Sequence, residues 1–112
     1  GLIAGYHAVL DAKKLGLTLM ALIHVSMDVH TPARFANFEA VVKLLPEVLE
    51  CLLITGQAAD YQLKVAVRDM DHYQSLLLTR LSGIEGVTGV HSSFVLRQVL
   101  VKTALDVATR AP

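Results

Sequence analysis

Three groups of residues in this sequence carry side chains suited to chemistry. The first is Thr55-Gly56-Gln57-Ala58-Ala59-Asp60-Tyr61. Glycine adopts positive φ at no steric cost and leaves backbone amides open to a carboxylate, while an aspartate receives an ammonium group through a charge-assisted hydrogen bond. Both ends of a zwitterion are then satisfied at one loop. Taken locally, the same residues are equally a plain turn made by Gly56 and capped by Asp60, and local sequence favours that. The second group is His91-Ser92-Ser93, a base beside two hydroxyls. Strand neighbours point to opposite faces, so His91 shares a face with Ser93 and not with Ser92, and no acid is placed to orient the imidazole. The third group is His7, His24, His30, His72 and His91 with the single Cys51. No two of these histidines stand four apart on a helix or cluster with the cysteine, so neither a metal centre nor a catalytic centre is expected. Gly83, Gly86 and Gly89 lie between a helix and a strand, the reverse of the order a phosphate loop needs, and no cofactor is expected.

The elements that must hold these residues follow from periodicity. The central stretch is Pro46 to Leu78. There the apolar run Val48 to Ile54 meets the polar loop, and Tyr61, Leu63, Val65 and Val67 then alternate with period two, which predicts a β-hairpin. Upstream, Gly1 to Asp11 reads as a short strand acting as a connector, and Leu17 to Val29 alternates as a strand with Leu19, Ala21, Ile23, Val25, Met27 and Val29 on its apolar face. Thr31-Pro32 starts a helix in which Phe35, Phe38, Val42 and Leu45 recur at helical spacing until Pro46 stops it. Asp69 or Asp71 caps a second helix that buries Tyr73, Leu76, Leu77 and Leu81 and ends at Gly83 and Gly86. A long last strand is expected from Val87 to about Lys102, apolar on both faces and covered on both. The order β-α-β-β-α-β after a short leading strand predicts a ferredoxin-like α+β domain, two helices on one face of a four-stranded antiparallel sheet.

Composition narrows the class. A chain of 112 residues is one domain, and 54% apolar against 18% charged residues with mean hydropathy +0.52 exceeds what a small monomer needs. The bare sheet face expected from this fold explains the excess if two copies pack sheet to sheet. Ten basic residues against ten acidic ones leave no electrostatic footprint for nucleic acid. His24, Asp28 and His30 interrupt the longest apolar stretch, so no membrane helix is expected. A secretion signal is not evident and one cysteine fits a reducing compartment, so a cytoplasmic setting is expected. Within its apolar run Cys51 reads as a buried, inert thiol.

The run PEVLECLLITGQAADYQLKVAVRDMDHYQSLL, preceded by FANFEAVVKLLPEV and followed by IEGVTGVHSSFVLRQVLVKTAL, closely resembles the C-terminal effector-binding domain of the leucine-responsive/asparagine-regulator (Lrp/AsnC) family of transcription factors. GYHAVLDAKKLGL is similar to that family's passage out of its DNA-binding domain. The resemblance implies residues 1–16 as a connector from an N-terminal DNA-binding domain and 17–112 as the effector-binding and oligomerisation domain. It implies a homodimer assembling into an octamer that binds a small effector, an amino acid, between dimers. Matched by position, the effector site takes Thr55, Gly56, Gln57, Asp60, Tyr61 and Leu63, and the neighbouring dimer contributes from near His91, Ser92 and Ser93. DNA would be reached only through a helix-turn-helix that this sequence does not show. The implied function is a non-enzymatic, amino-acid-sensing domain of a transcriptional regulator, against a ligand-independent assembly module or a small dimeric enzyme of the same fold.

Overall fold

The computed structural model describes residues 16–56 and 59–102. The elements are β1 (Leu19–Met27), α1 (Pro32–Val42), β2 (Val48–Leu53), β3 (Tyr61–Val67), α2 (Met70–Ser75) continued by a π-helical stretch (Leu76–Leu81), and β4 (Val87–Phe94). The strands pair antiparallel in the order β2-β3-β1-β4, the expected ferredoxin-like arrangement. The expected leading strand lies outside the described residues.

Like β3, β1 is an inner strand of the sheet, with a partner strand on each side. Its Ala21, Ile23 and Val25 are fully buried, and register places Ile23 opposite Leu63 on β3 and opposite Ser92 on β4. Phe38 and Val42 from α1 and Tyr73, Leu76 and Leu81 from the second helical segment close over this face to form the core with Tyr61, Leu63, Val65 and Val67. Both helix starts are capped by side chains: Thr31 Oγ1 accepts from the Arg34 amide at 3.2 Å and Asp69 Oδ1 accepts from the His72 amide at 2.8 Å. Asp69, rather than Asp71, is therefore the cap. α1 ends at Val42, short of Leu45, because the amides of Leu44 and Leu45 turn to the carbonyls of Val41 and Val42. Leu45 still reaches the core at 4% exposure. Leu77, expected on the buried side, is only partly covered, as the chain widens here and the Ser82 amide reaches back five residues to Leu77 O at 2.9 Å.

Two expectations fail at the sheet edges. The last strand ends at Phe94, not Lys102. β1 places Ala21 opposite Phe94, the Val95 amide adds one bond to Met20 O at 2.9 Å, and among the described residues no strand runs alongside beyond that. Leu96, Val99 and Leu100 are consequently 98%, 83% and 71% exposed in the single chain, so the apolar faces read there are not covered. Cys51, expected to be buried, is exposed on β2, the outer strand of the sheet. The surrounding protein nevertheless desolvates its sulfur, which pushes the thiol up to about 11, with the charge of Glu39 adding to the effect. A raised thiol disfavours the nucleophilic thiolate even where the side chain is exposed.

A largely covered pair joins the start of β2 to the second helical segment. His72 Nδ1 accepts from the Arg68 amide at 3.0 Å, and its Nε2 donates to Glu47 Oε2 at 3.0 Å, with both side chains largely covered. Burial alone would raise the Glu47 carboxyl, but the His72 hydrogen bond, the residue's own amide and the charge of Arg80 together hold it below the usual carboxylate range. A folded value below the unfolded one means that the contribution to stability is complete above about pH 4.3 and disappears as pH falls through the folded value. Urea midpoints between pH 5 and pH 3 are expected to fall less steeply for His72→Leu than for the parent chain. Equal slopes would remove the pair as the cause.

Among the described residues no helix is long and apolar enough to cross a membrane. On the sheet face away from the helices, register aligns Gln62, His24 and His91 in one row and Lys64, Leu22 and Ser93 in the next.

Candidate functional site

The β2–β3 loop is drawn tight at its base and open at its tip. The Ile54 amide donates to Asp60 O at 2.9 Å and the Asp60 amide to Val25 O at 2.8 Å, so the loop closes against the end of β1. At the tip Gly56 takes φ +82°, and a Cβ there would meet nothing within 4 Å. The glycine is required by backbone conformation, not by crowding. Thr55 and Gly56 are exposed. Gln57, matched to the site from sequence, lies outside the described residues with Ala58.

Asp60 sits where three elements meet. Its Oδ2 accepts from the Met27 amide at 2.8 Å, which satisfies a donor left free where β1 ends. Its Oδ1 lies 3.0 Å from Nε2 of His30, whose side chain is 62% exposed against 22% for Asp60. The turn that carries His30 is itself fixed. Arg34 bridges Asp28 at 3.2 Å and Glu85 at 3.0 Å, and the Asp28 amide donates to Gly86 O at 2.8 Å. The Arg34 stem fills the space a Cβ on Gly86 would need, with Cδ only 2.6 Å from that position.

Tyr61 and Leu63 are placed differently from the rest of the loop set. Both face the helices and are buried, at 1% and 0% exposure. The Tyr61 hydroxyl donates to Glu39 Oε2 at 2.6 Å, and its ring lies 4.5 Å from that of Phe38 and 5.6 Å from that of Phe35. Burial first, and then the hydrogen bond that the hydroxyl donates to the Glu39 carboxylate, raise the phenol well above its ordinary range. These two residues anchor the loop to the core, and within one chain they do not line its exposed tip.

The β4 residues are not brought to the loop within one chain. His91 pairs with His24, Ser92 with Ile23 and Ser93 with Leu22, on the opposite side of β1 from β3. His91 and Ser93 share the helix-free face, as the alternation requires. Ser92 points to the helices, where its hydroxyl bonds to that of Tyr73, and the Tyr73 ring packs edge-on against Phe94 at 5.0 Å.

Each described histidine has a separate setting: His24 bonds Gln62 Oε1 at 2.9 Å, His30 faces Asp60, His72 bonds Glu47, and His91 is exposed on β4. His7 lies outside the described residues, and among the described ones no three potential ligands stand together to hold a metal. Of the hollows beside the sheet, two bear on these residues. One of about 250 Å³ is bounded by Glu39, Val42, Lys43, Cys51, Leu53 and Tyr61, beside the loop. A larger one of about 580 Å³ lies under residues 95–102 against Leu22, Gln62 and Lys64, and none of the residues matched to the effector site lines it. Its polar lining comes from Glu50, Gln62, Lys64, Arg97, Gln98 and Lys102, side chains on the strands and on residues 95–102. Sequence reasoning missed His30, the Met27 amide and Glu39 as partners of the loop. The signal for His30 was its place directly before the Thr31 helix cap, where a strand end and a helix start leave a side chain facing the next strand's loop.

Residues 20–105 match the family model described as the Lrp/AsnC ligand binding domain. The chain is 37% identical over 102 residues to the Bkd operon transcriptional regulator of Pseudomonas aeruginosa, covering 91% of this chain and 66% of that protein. It is 34% identical over 110 residues to the leucine-responsive regulatory protein of Salmonella typhimurium, covering 98% and 66%. Its fold superposes with TM-score 0.79 on a Neisseria meningitidis transcriptional regulator solved in complex with L-methionine, at 32% identity over 88% of this chain and 63% of that one. The chain therefore spans at most about two thirds of the length of these regulators. All three are regulators, which supports a non-catalytic domain.

Proposed function

The chain belongs to the Lrp/AsnC family as its ligand-binding domain, and from that premise we propose that it senses a free amino acid at the Thr55–Tyr61 loop and converts binding into a change of assembly. The observation that carries this is the juxtaposition of an exposed, positive-φ Gly56 with the Asp60 carboxylate in one closed loop. The amides about Gly56 take the effector carboxylate and Asp60 takes the ammonium. The methionine found in the Neisseria regulator supports an amino acid as the class of effector. Tyr61 and Leu63 hold the loop in place. His91, Ser92 and Ser93, remote from the loop in one chain, belong on this reading to the site of a neighbouring dimer.

Assembly supplies the mechanism. The helix-free sheet face with Leu22 and Met20, and the exposed Leu96, Val99 and Leu100, suit a homodimer packed sheet to sheet and dimers joined into an octamer. An effector gripped between dimers stabilises one assembly over another, and one that bound both equally would change nothing. Residues 1–16 then lead from a DNA-binding domain and 17–112 form the sensor, working in the cytoplasm, with DNA reached only through that other domain.

A thermal-shift panel of the twenty amino acids at millimolar concentration, with mass followed by light scattering, tests this. A selective ligand at about 100 times its dissociation constant adds roughly 2.7 kcal/mol to the native state. One or a few amino acids are expected to raise the midpoint and alter the mass. No response, with the mass of a fixed oligomer, would instead favour a ligand-independent assembly module, a reading supported by Asp60 having both oxygens already engaged.

A further inference from the structure

We infer that His30 sets effector affinity at Asp60, by competing for the carboxylate oxygen that an effector ammonium would use. The inference rests on the amino-acid-sensing reading of the loop. Of the two Asp60 oxygens, Oδ2 is committed to the Met27 amide at 2.8 Å and is the oxygen that fixes the loop to β1. Oδ1 is the one that faces outward, and it is filled by His30 Nε2 at 3.0 Å. An effector ammonium that approaches Asp60 at Oδ1 meets His30 there and competes with it for that oxygen.

The exchange is physically easy. The His30 side chain is 62% exposed, so swinging it outward uncovers no core, and its remaining packing is an edge contact with the Phe35 ring at 5.9 Å. The charges around it are accounted for. Asp60 faces it from the start of β3, Phe35 faces it from α1 and carries no charge, and the nearby Asp28 is already paired with Arg34, which also holds Glu85. Asp60 is thus its ionic partner, and the turn on which it sits stays anchored when the side chain leaves.

Competition of this kind carries a proton dependence. Histidine side chains change charge between about pH 5 and 8, and a protonated imidazole holds a carboxylate more strongly than a neutral one. Between pH 5.5 and pH 7 a free amino acid stays a zwitterion, so its own charges do not vary. Effector affinity is expected to rise with pH across this window. The pair is solvent-accessible, so the size of the effect is that of an exposed ion pair, up to about fivefold in affinity.

The experiment is calorimetric titration of this chain with the amino acid selected by the thermal panel, at pH 5.5 and 7.0, for the parent, His30→Ala and His30→Lys. His30→Ala is expected to bind up to about fivefold more tightly at pH 5.5 and to lose the pH dependence. His30→Lys, a cation at both pH values, is expected to bind more weakly than His30→Ala and equally at the two. If the parent binds but His30→Ala changes neither affinity nor slope, the role of His30 is overturned while the site stands. If neither the parent nor His30→Ala binds any amino acid, the sensing reading itself fails and this inference falls with it. Circular dichroism of each variant confirms that the fold is retained.

Discussion

Replacing Asp60 with asparagine is expected to leave the chain folded and to weaken amino-acid binding at least about tenfold. Asparagine keeps a carbonyl oxygen that can accept from the Met27 amide, so the brace between β3 and the end of β1 persists. What it loses is the charge. A hydrogen bond to a charged partner contributes about 1.5–3 kcal/mol, and at about 1.4 kcal/mol per decade its loss is at least a tenfold change in affinity. Asp60→Ala removes both functions, so it is expected to lower stability by about 1–3 kcal/mol as well as abolish the response, because the Met27 donor is left without its partner. Calorimetry against each variant, paired with urea unfolding, separates the two effects. Unchanged affinity in Asp60→Asn would show that Asp60 only braces the loop.

Leu63→Ala is expected to destabilise the chain by about 3 kcal/mol, with a fall in the thermal midpoint on the order of 10–20 °C for a domain of this size. Leu63 is fully buried on β3, opposite Ile23 of β1, beneath the helices. Truncation leaves a cavity between elements that cannot all close upon it, which adds a cavity cost to the lost burial. The consequence for function is indirect: at temperatures where the variant is folded, its effector affinity should stay within about threefold of the parent, a difference below 1 kcal/mol. Tyr61→Phe is the companion, since it keeps the ring against Phe35 and Phe38 while deleting the hydroxyl that bonds Glu39. A stable Leu63→Ala chain that had lost binding would instead make Leu63 a contact of the effector.

The assignments that came through unchanged are those governed by short-range physics. Thr31 followed by Pro32 marks a helix start because a hydroxyl and a fixed φ suit the first turn whatever lies around them. The alternation of Tyr61, Leu63, Val65 and Val67 dictates which side chains go inward, and it did so at every one of these positions. His91 and Ser93 fall on one face and Ser92 on the other for the same reason.

Sequence by itself therefore determined the order of the described elements, the Thr31 cap, the inward faces, the open glycine at the loop and the resemblance to the regulator family, while the choice of Asp69 over Asp71 as the second cap came from the structure. Only the tertiary structure decided which partners those residues meet. The end of β4 depends on how far β1 extends beside it, and the exposure of Cys51 depends on β2 lying at the sheet edge; neither is written in the local run of apolar residues. Asp60 illustrates the limit. Its type and neighbours announce a carboxylate at a turn, but the contacts that define it come from Met27 and His30, 33 and 30 positions earlier in the chain. Those contacts exist because antiparallel pairing of β1 with β3 sets Val25 against Tyr61 and so delivers the end of one strand to the start of the other. Register between distant strands is a property of the whole packed sheet, and it is there that a turn-capping aspartate is placed under an exposed histidine.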